Sequence, residues 1–129
     1  FFMNVLILDR RLDPAKNSNG EIEKRQEWIS DVFHRLIEGE YSIKRTYSLH
    51  QLEEEPPHSL ENYQAIIAHP YARDYRSLFR VAKSNPLLKV IMYGDYTFED
   101  QIDAEEYSPN ITLLLEGVWS DELLEILEK

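Results

Sequence analysis

Apolar positions along this chain follow two alternating patterns: short unbroken runs, and longer stretches at helical spacing. The run Asn4-Val5-Leu6-Ile7-Leu8-Asp9 is apolar and closed by an acid, as suits a strand buried on both faces of a parallel sheet. Residues 10–20 contain Pro14 and the cluster Asn17-Ser18-Asn19-Gly20, a loop composition. Across 21–37, Ile22, Ile29, Val32, Phe33, Leu36 and Ile37 recur largely three and four residues apart, which predicts an amphipathic helix ended by Gly39. Tyr41 to Tyr47 alternates and is rich in β-formers, the pattern of an edge or near-edge strand. Ser48 predicts the cap of a short helix through Glu55, stopped by Pro56-Pro57.

The second half repeats the rhythm. Residues 63–68 read as a buried strand followed by His69-Pro70-Tyr71, and 74–84 as a helix carrying Leu78, Phe79, Val81 and Ala82. A third buried strand is expected over 87–93, with Gly94-Asp95 as its exit turn. Phe98 and Ile102, four apart, predict a short acidic helix within 97–107. Residues 111–115 read as the last strand, and Ser120-Asp121-Glu122 as the start of a closing helix that packs Leu123, Leu124, Ile126 and Leu127. Strands alternating with helices predict a parallel α/β sandwich. At 129 residues the expectation is one domain spanning 1–129. Its expected form is the flavodoxin-like three-layer sandwich, with five strands ordered 2-1-3-4-5. Functional groups of such folds gather at the carboxyl ends of the strands, here Asp9-Arg10, Tyr47-Ser48, His69-Pro70, Gly94-Asp95 and Glu116-Gly117.

The chain has no cysteine, which excludes a disulfide scaffold, a cysteine-ligated metal and a cysteine nucleophile. No apolar run approaches a membrane span and no signal-peptide pattern opens the chain, so cytoplasm is the expected compartment. The opening Phe1-Phe2-Met3 reads as a start displaced from Met3, or as the edge of an excised piece. The net charge is −10, which repels a phosphate backbone and argues against direct nucleic-acid binding. Its distribution changes the picture more. Residues 1–89 balance 13 acids against 13 bases, whereas 90–128 hold 11 acids and no Lys or Arg. A field of one sign attracts a basic partner and speeds the encounter.

Through this element order, the acid closing the first strand, and Leu114-Leu115-Glu116-Gly117 before the last helix, the chain resembles the receiver domain of bacterial two-component response regulators over residues 3–128. The resemblance implies a phosphate-accepting aspartate at the end of the third strand and two acids holding magnesium at the end of the first. It also implies a Ser or Thr ending the fourth strand and a Lys ending the fifth. The carboxylate is the nucleophile, the ion neutralises phosphoryl oxygens, and the Lys and hydroxyl hold the product charge.

This sequence departs from that set. His69 stands at the acceptor position, Asp9 keeps the first acid, and Arg10 replaces the second. Gly94 replaces the hydroxyl residue, and Glu116 replaces the Lys with reversed charge. The departures imply a pseudo-receiver: the fold kept, the phosphorylation chemistry and any catalytic activity lost, no metal or cofactor required. In receivers the fourth helix, fifth strand and fifth helix form the output and dimer face, which corresponds to residues 97–128, where the acidic excess lies. The expected partner is therefore a protein, basic in character, met by Glu99, Asp100, Asp103, Glu105 and Glu106.

Other readings stay open. Asp9, His69, Asp95 and Glu116 meet if the fold is right. They then form either a small-ligand or metal crevice of three carboxylates and an imidazole, or a relic pocket in which His69 hydrogen-bonds Asp9 and Arg10 points to solvent. The crevice reading makes the chain a flavodoxin-like ligand sensor or a metal-dependent enzyme. A further reading is a phosphorylatable receiver with its acceptor displaced to Asp9 or Asp95. Tyr71, Arg73, Tyr75 and Arg76 either contact an anionic ligand or a partner, or cap the sheet edge. No grouped glycines form a phosphate loop and no Gly-x-Ser-x-Gly is present.

Overall fold

The apolar run that opens the chain forms β1 (Met3–Asp9), which pairs in parallel with β2 (Tyr41–Thr46) on one side and β3 (Ala65–His69) on the other. β4 (Lys89–Tyr93) and β5 (Ile111–Leu114) extend the sheet in the same sense, giving the order β2-β1-β3-β4-β5. The computed structural model describes residues 3–10, 41–50, 63–94, 96–114, 123 and 125–127. Within them lie two full helices, α1 (Ala72–Ser84) and α2 (Phe98–Tyr107), and the helical residues Leu123 and 125–127. None of these helices is long and apolar enough to cross a membrane. The architecture is the flavodoxin-like, receiver-type sandwich that the element order predicts.

The unbroken runs have their physical counterpart in burial. Val5 to Leu8, Ala65 to Ala68 and Val90 to Met92 are all buried, because strands in the middle of a parallel sheet have helices over both faces. At the edge, only Thr46 of β2 is buried. Side chains alternate between the faces with period two. Leu6, Leu8, Ile66, Ala68, Val90 and Met92 pack against Leu78 and Ala82 of α1 and Ala104 of α2. Val5, Ile7, Ala65, Ile67, Ile91 and Tyr93 pack on the other face against Leu123 and Leu127. Each fully buried Leu or Ile contributes about 1.5–3 kcal/mol.

Polar side chains tie the layers together. The two N–H groups of the Asn110 amide are shared among the carbonyls of Ala82, Asn85 and Leu88, at 2.8, 3.0 and 2.6 Å, while its oxygen accepts from the Ser108 hydroxyl. It thereby joins the end of α1, the turn after it and the start of β4. Lys89 Nζ donates to the carbonyls of Ile126 and Leu127 at 3.0 and 2.8 Å, where a helix leaves acceptors unpaired and favours a cation. Buried Asp74, in the first turn of α1, accepts from the Leu49 amide at 3.3 Å.

Several boundaries move from their sequence expectation. β4 starts at Lys89, not at 87, because Pro86 and Leu87 are the central residues of a turn closed by Leu88 N donating to Asn85 O at 2.9 Å. Leu87 is thrown outward, 95% exposed. α1 starts at Ala72, not 74, with extended Tyr71 as its N-cap. β3 spans 65–69 in place of 63–68, so His69 belongs to the strand. The expected helix over 21–37, the continuation of the helix after Ser48, residue 115 and most of the closing helix lie outside the described residues.

Candidate functional site

Three side chains stand in line across the ends of neighbouring strands. Asp9 closes β1 and lies opposite His69 at the end of β3. Tyr93 closes β4, one strand further. Counting by twos from Ile7, Ile67 and Ile91 puts Asp9, His69 and Tyr93 on the same face. Asp9 is 0% exposed, and a buried carboxylate needs hydrogen-bond donors. The Tyr93 hydroxyl donates to its Oδ2 at 2.5 Å. The Tyr93 ring stacks on the His69 imidazole, with centroids 5.2 Å apart and planes 16° from parallel. The Tyr93 carbonyl accepts from His69 Nδ1 at 2.9 Å. Since a carbonyl only accepts, Nδ1 carries the proton. Tyr93 thus binds both neighbours at once: Asp9 by its tip, His69 by its ring and backbone.

Gly94 follows at φ +156°, outside the range favoured by L residues. A Cβ there would meet His69 Nδ1 and the Tyr96 ring at 3.5 Å, an ordinary contact. The backbone angle, not lack of room, is what favours glycine. Arg10 leaves the end of β1 exposed to solvent. Burial pushes the Tyr96 phenol up to about 12; Tyr75 and Asp100 add to the shift and the Arg10 cation opposes it.

A receiver-type magnesium site requires a second carboxylate beside Asp9. Arg10 occupies that place, and a fixed cation repels a dication. Oδ2 of Asp9 is already bonded by Tyr93. These residues do not fit the ion, and the described residues contain no group of three or more potential metal ligands. Asp95 and Glu116 lie outside the described residues, so the crevice of three carboxylates and an imidazole is represented by Asp9 and His69 alone.

The acidic residues of α2 divide by role. Asp100 is committed to a capping box: it accepts from Thr97 N at 2.8 Å, while its own amide donates to Thr97 Oγ1 at 3.2 Å. Glu105 accepts from Gln101 Nε2 at 2.8 Å. Glu99, Asp103, Glu105 and Glu106 are exposed, as are Phe98 (76%) and Ile102 (55%). Ala104 is the one residue of α2 that is buried. On the side towards α1, Tyr75, Phe79 and Tyr107 form an aromatic row, with centroids 4.7 and 5.5 Å apart. Together with Arg76 and Arg80 they line a groove of about 220 Å³. Burial raises the Tyr75 phenol, and the carboxylates of Asp100 and Asp103 add to it.

The sequence reading named Asp9, Arg10, His69 and Gly94 but passed over Tyr93. Its place level with two polar strand ends follows from the strand register, which the sequence alone does not give. Arg73 lies over the Tyr71 ring, 4.9 Å from its centroid, while Tyr75 and Arg76 turn towards the groove instead.

No family model matches the chain, and no curated protein matches it. Among solved structures it is similar to NtrX from Brucella abortus, in one structure in complex with ADP (TM-score 0.62) and in another (TM-score 0.61), each at 11% identity. Both matches cover 99% of this chain and 26% of that one, so the chain spans about a quarter of the length of those structures. The likeness is one of fold: a receiver-like, five-stranded parallel sandwich.

Proposed function

We propose that this chain is a non-catalytic, receiver-like signalling module that acts by binding a protein partner and is not phosphorylated on aspartate. The observation that carries this reading is the strand-end cluster of Asp9, Tyr93 and His69. A phosphoacceptor carboxylate has to reach solvent and be neutralised by a metal and a cation. Asp9 is buried and hydrogen-bonded, and His69 stands at the acceptor position with Nδ1 committed to a carbonyl. In the sequence, Glu116 stands where the receiver resemblance implies a lysine, a charge of the opposite sign.

The partner is a protein with a basic surface. Exposed Glu99, Asp103, Glu105 and Glu106 supply a field of one sign, and Phe98 and Ile102 supply apolar anchors. Asp100 contributes charge but is held by its cap. The test is an NMR titration of the labelled protein with magnesium and beryllofluoride, which mimics an aspartyl phosphate. Absence of saturable shifts at Asp9, His69 and Gly94 supports the reading. Saturable shifts that require both reagents overturn it.

A further inference from the structure

The groove between α1 and α2 has walls of opposite sign. Arg73, Arg76, Arg80 and Lys83 are exposed on α1, whose one acid, Asp74, is buried. Every charged residue of α2 is acidic. Glu99, Asp103 and Tyr107 are spaced by four and so share one helical stripe. Tyr107 touches Phe79 of α1 and the Asp103 carboxylate acts on the Tyr75 phenol, so that acidic stripe runs beside the groove. Lys83 lies over the Tyr107 ring, 4.6 Å from its centroid. Among the described residues, none of Arg76, Arg80, Glu99 and Asp103 is held in an ion pair. The charged sets Arg76, Arg80 and Lys83 and Glu99, Asp103 and Glu106 are both spaced by four and three and cover seven residue steps, about 10 Å of helix.

We propose that this face is a homodimer interface, with a second copy of this chain as its occupant. A two-fold axis running along the groove lays α1 of one copy over α2 of the other, and the reverse. Each basic stripe then meets an acidic stripe of equal length, and the two aromatic floors face each other at the centre. Such a contact is isologous and closes on itself. A two-fold axis across the groove would instead set like charges together, so electrostatics selects one arrangement. The overall charge of −10 opposes association. Screening over about 10 Å at 0.1 M salt weakens that distant repulsion while facing groups still interact. The proposal goes beyond the basic-partner reading and does not depend on it.

Sedimentation of the protein at about 0.1 M and about 1 M salt, where the screening length falls to about 3 Å, reads the proposal directly. Wild type is expected to dimerise at the lower salt and dissociate at the higher. Arg76→Glu/Arg80→Glu and Glu99→Lys/Asp103→Lys should each be monomeric, and mixing the two should restore a heterodimer, since every facing pair is again opposite in sign. That rescue separates lost complementarity from lost folding. Three outcomes overturn the proposal: a wild type that stays monomeric at millimolar concentration, a dimer that survives Arg76→Glu/Arg80→Glu, and two monomeric variants that fail to pair. None of these bears on phosphorylation, and sedimentation of the protein alone reads self-association apart from a basic partner, although Glu99 and Asp103 belong to both surfaces.

Discussion

Replacing Tyr93 with Phe removes one oxygen from the strand-end cluster and leaves the rest. The ring that stacks on His69 remains, as does the carbonyl that accepts from its Nδ1. What is lost is a donor 2.5 Å from a carboxylate that is 0% exposed. A hydrogen bond to a charged group contributes about 1.5–3 kcal/mol, against about 0.5–1.5 kcal/mol for a neutral pair. The space vacated by a hydroxyl does not admit a water with partners of its own, so the upper part of that range applies. We expect Tyr93→Phe to lower stability by about 2–3 kcal/mol, a large fraction of the about 5–15 kcal/mol typical of a domain.

Urea unfolding followed by circular dichroism measures this loss. With slopes of about 1–3 kcal/mol per molar, the midpoint should fall by on the order of 1 M. A double-mutant cycle with Asp9→Ala isolates the pair from the rest of the site, and its coupling should reach about 1 kcal/mol or more. If Tyr93→Phe changes stability by less than about 0.5 kcal/mol and shows no coupling to Asp9, the hydroxyl does not hold the carboxylate. The closed-site argument against phosphoryl transfer then loses its physical basis.

Three further outcomes follow from the same structure. Asn110→Ala should cost about 1–3 kcal/mol by thermal unfolding, from two N–H donors of about 0.5–1.5 kcal/mol each shared among Ala82, Asn85 and Leu88. Asn110→Asp should cost more, because it sets an anion against three carbonyl oxygens; the reverse ranking would refute the assigned role. Tyr96 has its phenol raised from 10.0 to about 12, so its contribution is complete below pH 10 and is lost as pH rises through about 12. Tyr96→Phe should flatten that alkaline loss in urea titrations run at successive pH values, and an unchanged slope would assign it to other groups. Phe98→Ser/Ile102→Ser should leave stability within about 0.5 kcal/mol, as exposed substitutions do, and a larger loss by urea unfolding would place these residues in the core.

The sheet was legible because buried parallel strands are written as unbroken apolar runs, and β1, β3 and β4 are such runs. The same rule misplaced Leu87. It adjoins the run of β4, but the backbone bond from Leu88 to Asn85 makes a turn there, which apolarity alone does not reveal. His69 and Asp9 were legible as strand ends. Tyr93 was not, because a tyrosine closing a β-rich run reads as a strand former. Its role depends on register, which sets it level with Asp9 and His69 only once the strands are aligned. Asn110 gave no signal, since its acceptors lie 22 to 28 residues away and become neighbours only in the tertiary fold.

α2 shows a different limit, and it carries the last prediction. Phe98 and Ile102 announced a helix by their spacing, yet both face solvent, and small Ala104 meets the core. A polar tether sets this rotation. Gln101 Oε1 accepts from the Leu113 amide of β5 at 2.7 Å, while its Nε2 donates to Glu105 at 2.8 Å. With Ala104 turned to the sheet, Ile102, two steps away, is carried to the far side of the helix, and Phe98, six steps away, comes about 120° round from Ala104. The tether also covers a backbone donor on the terminal strand of the sheet, an edge that otherwise invites pairing with another chain. Gln101→Ala should therefore cost about 1–2 kcal/mol and speed hydrogen exchange at the Leu113 amide more than at Leu114, whose register partner Tyr93 lies inside the sheet. Unchanged protection at Leu113 would mean that apolar packing of Ala104, not the glutamine, sets the rotation of α2.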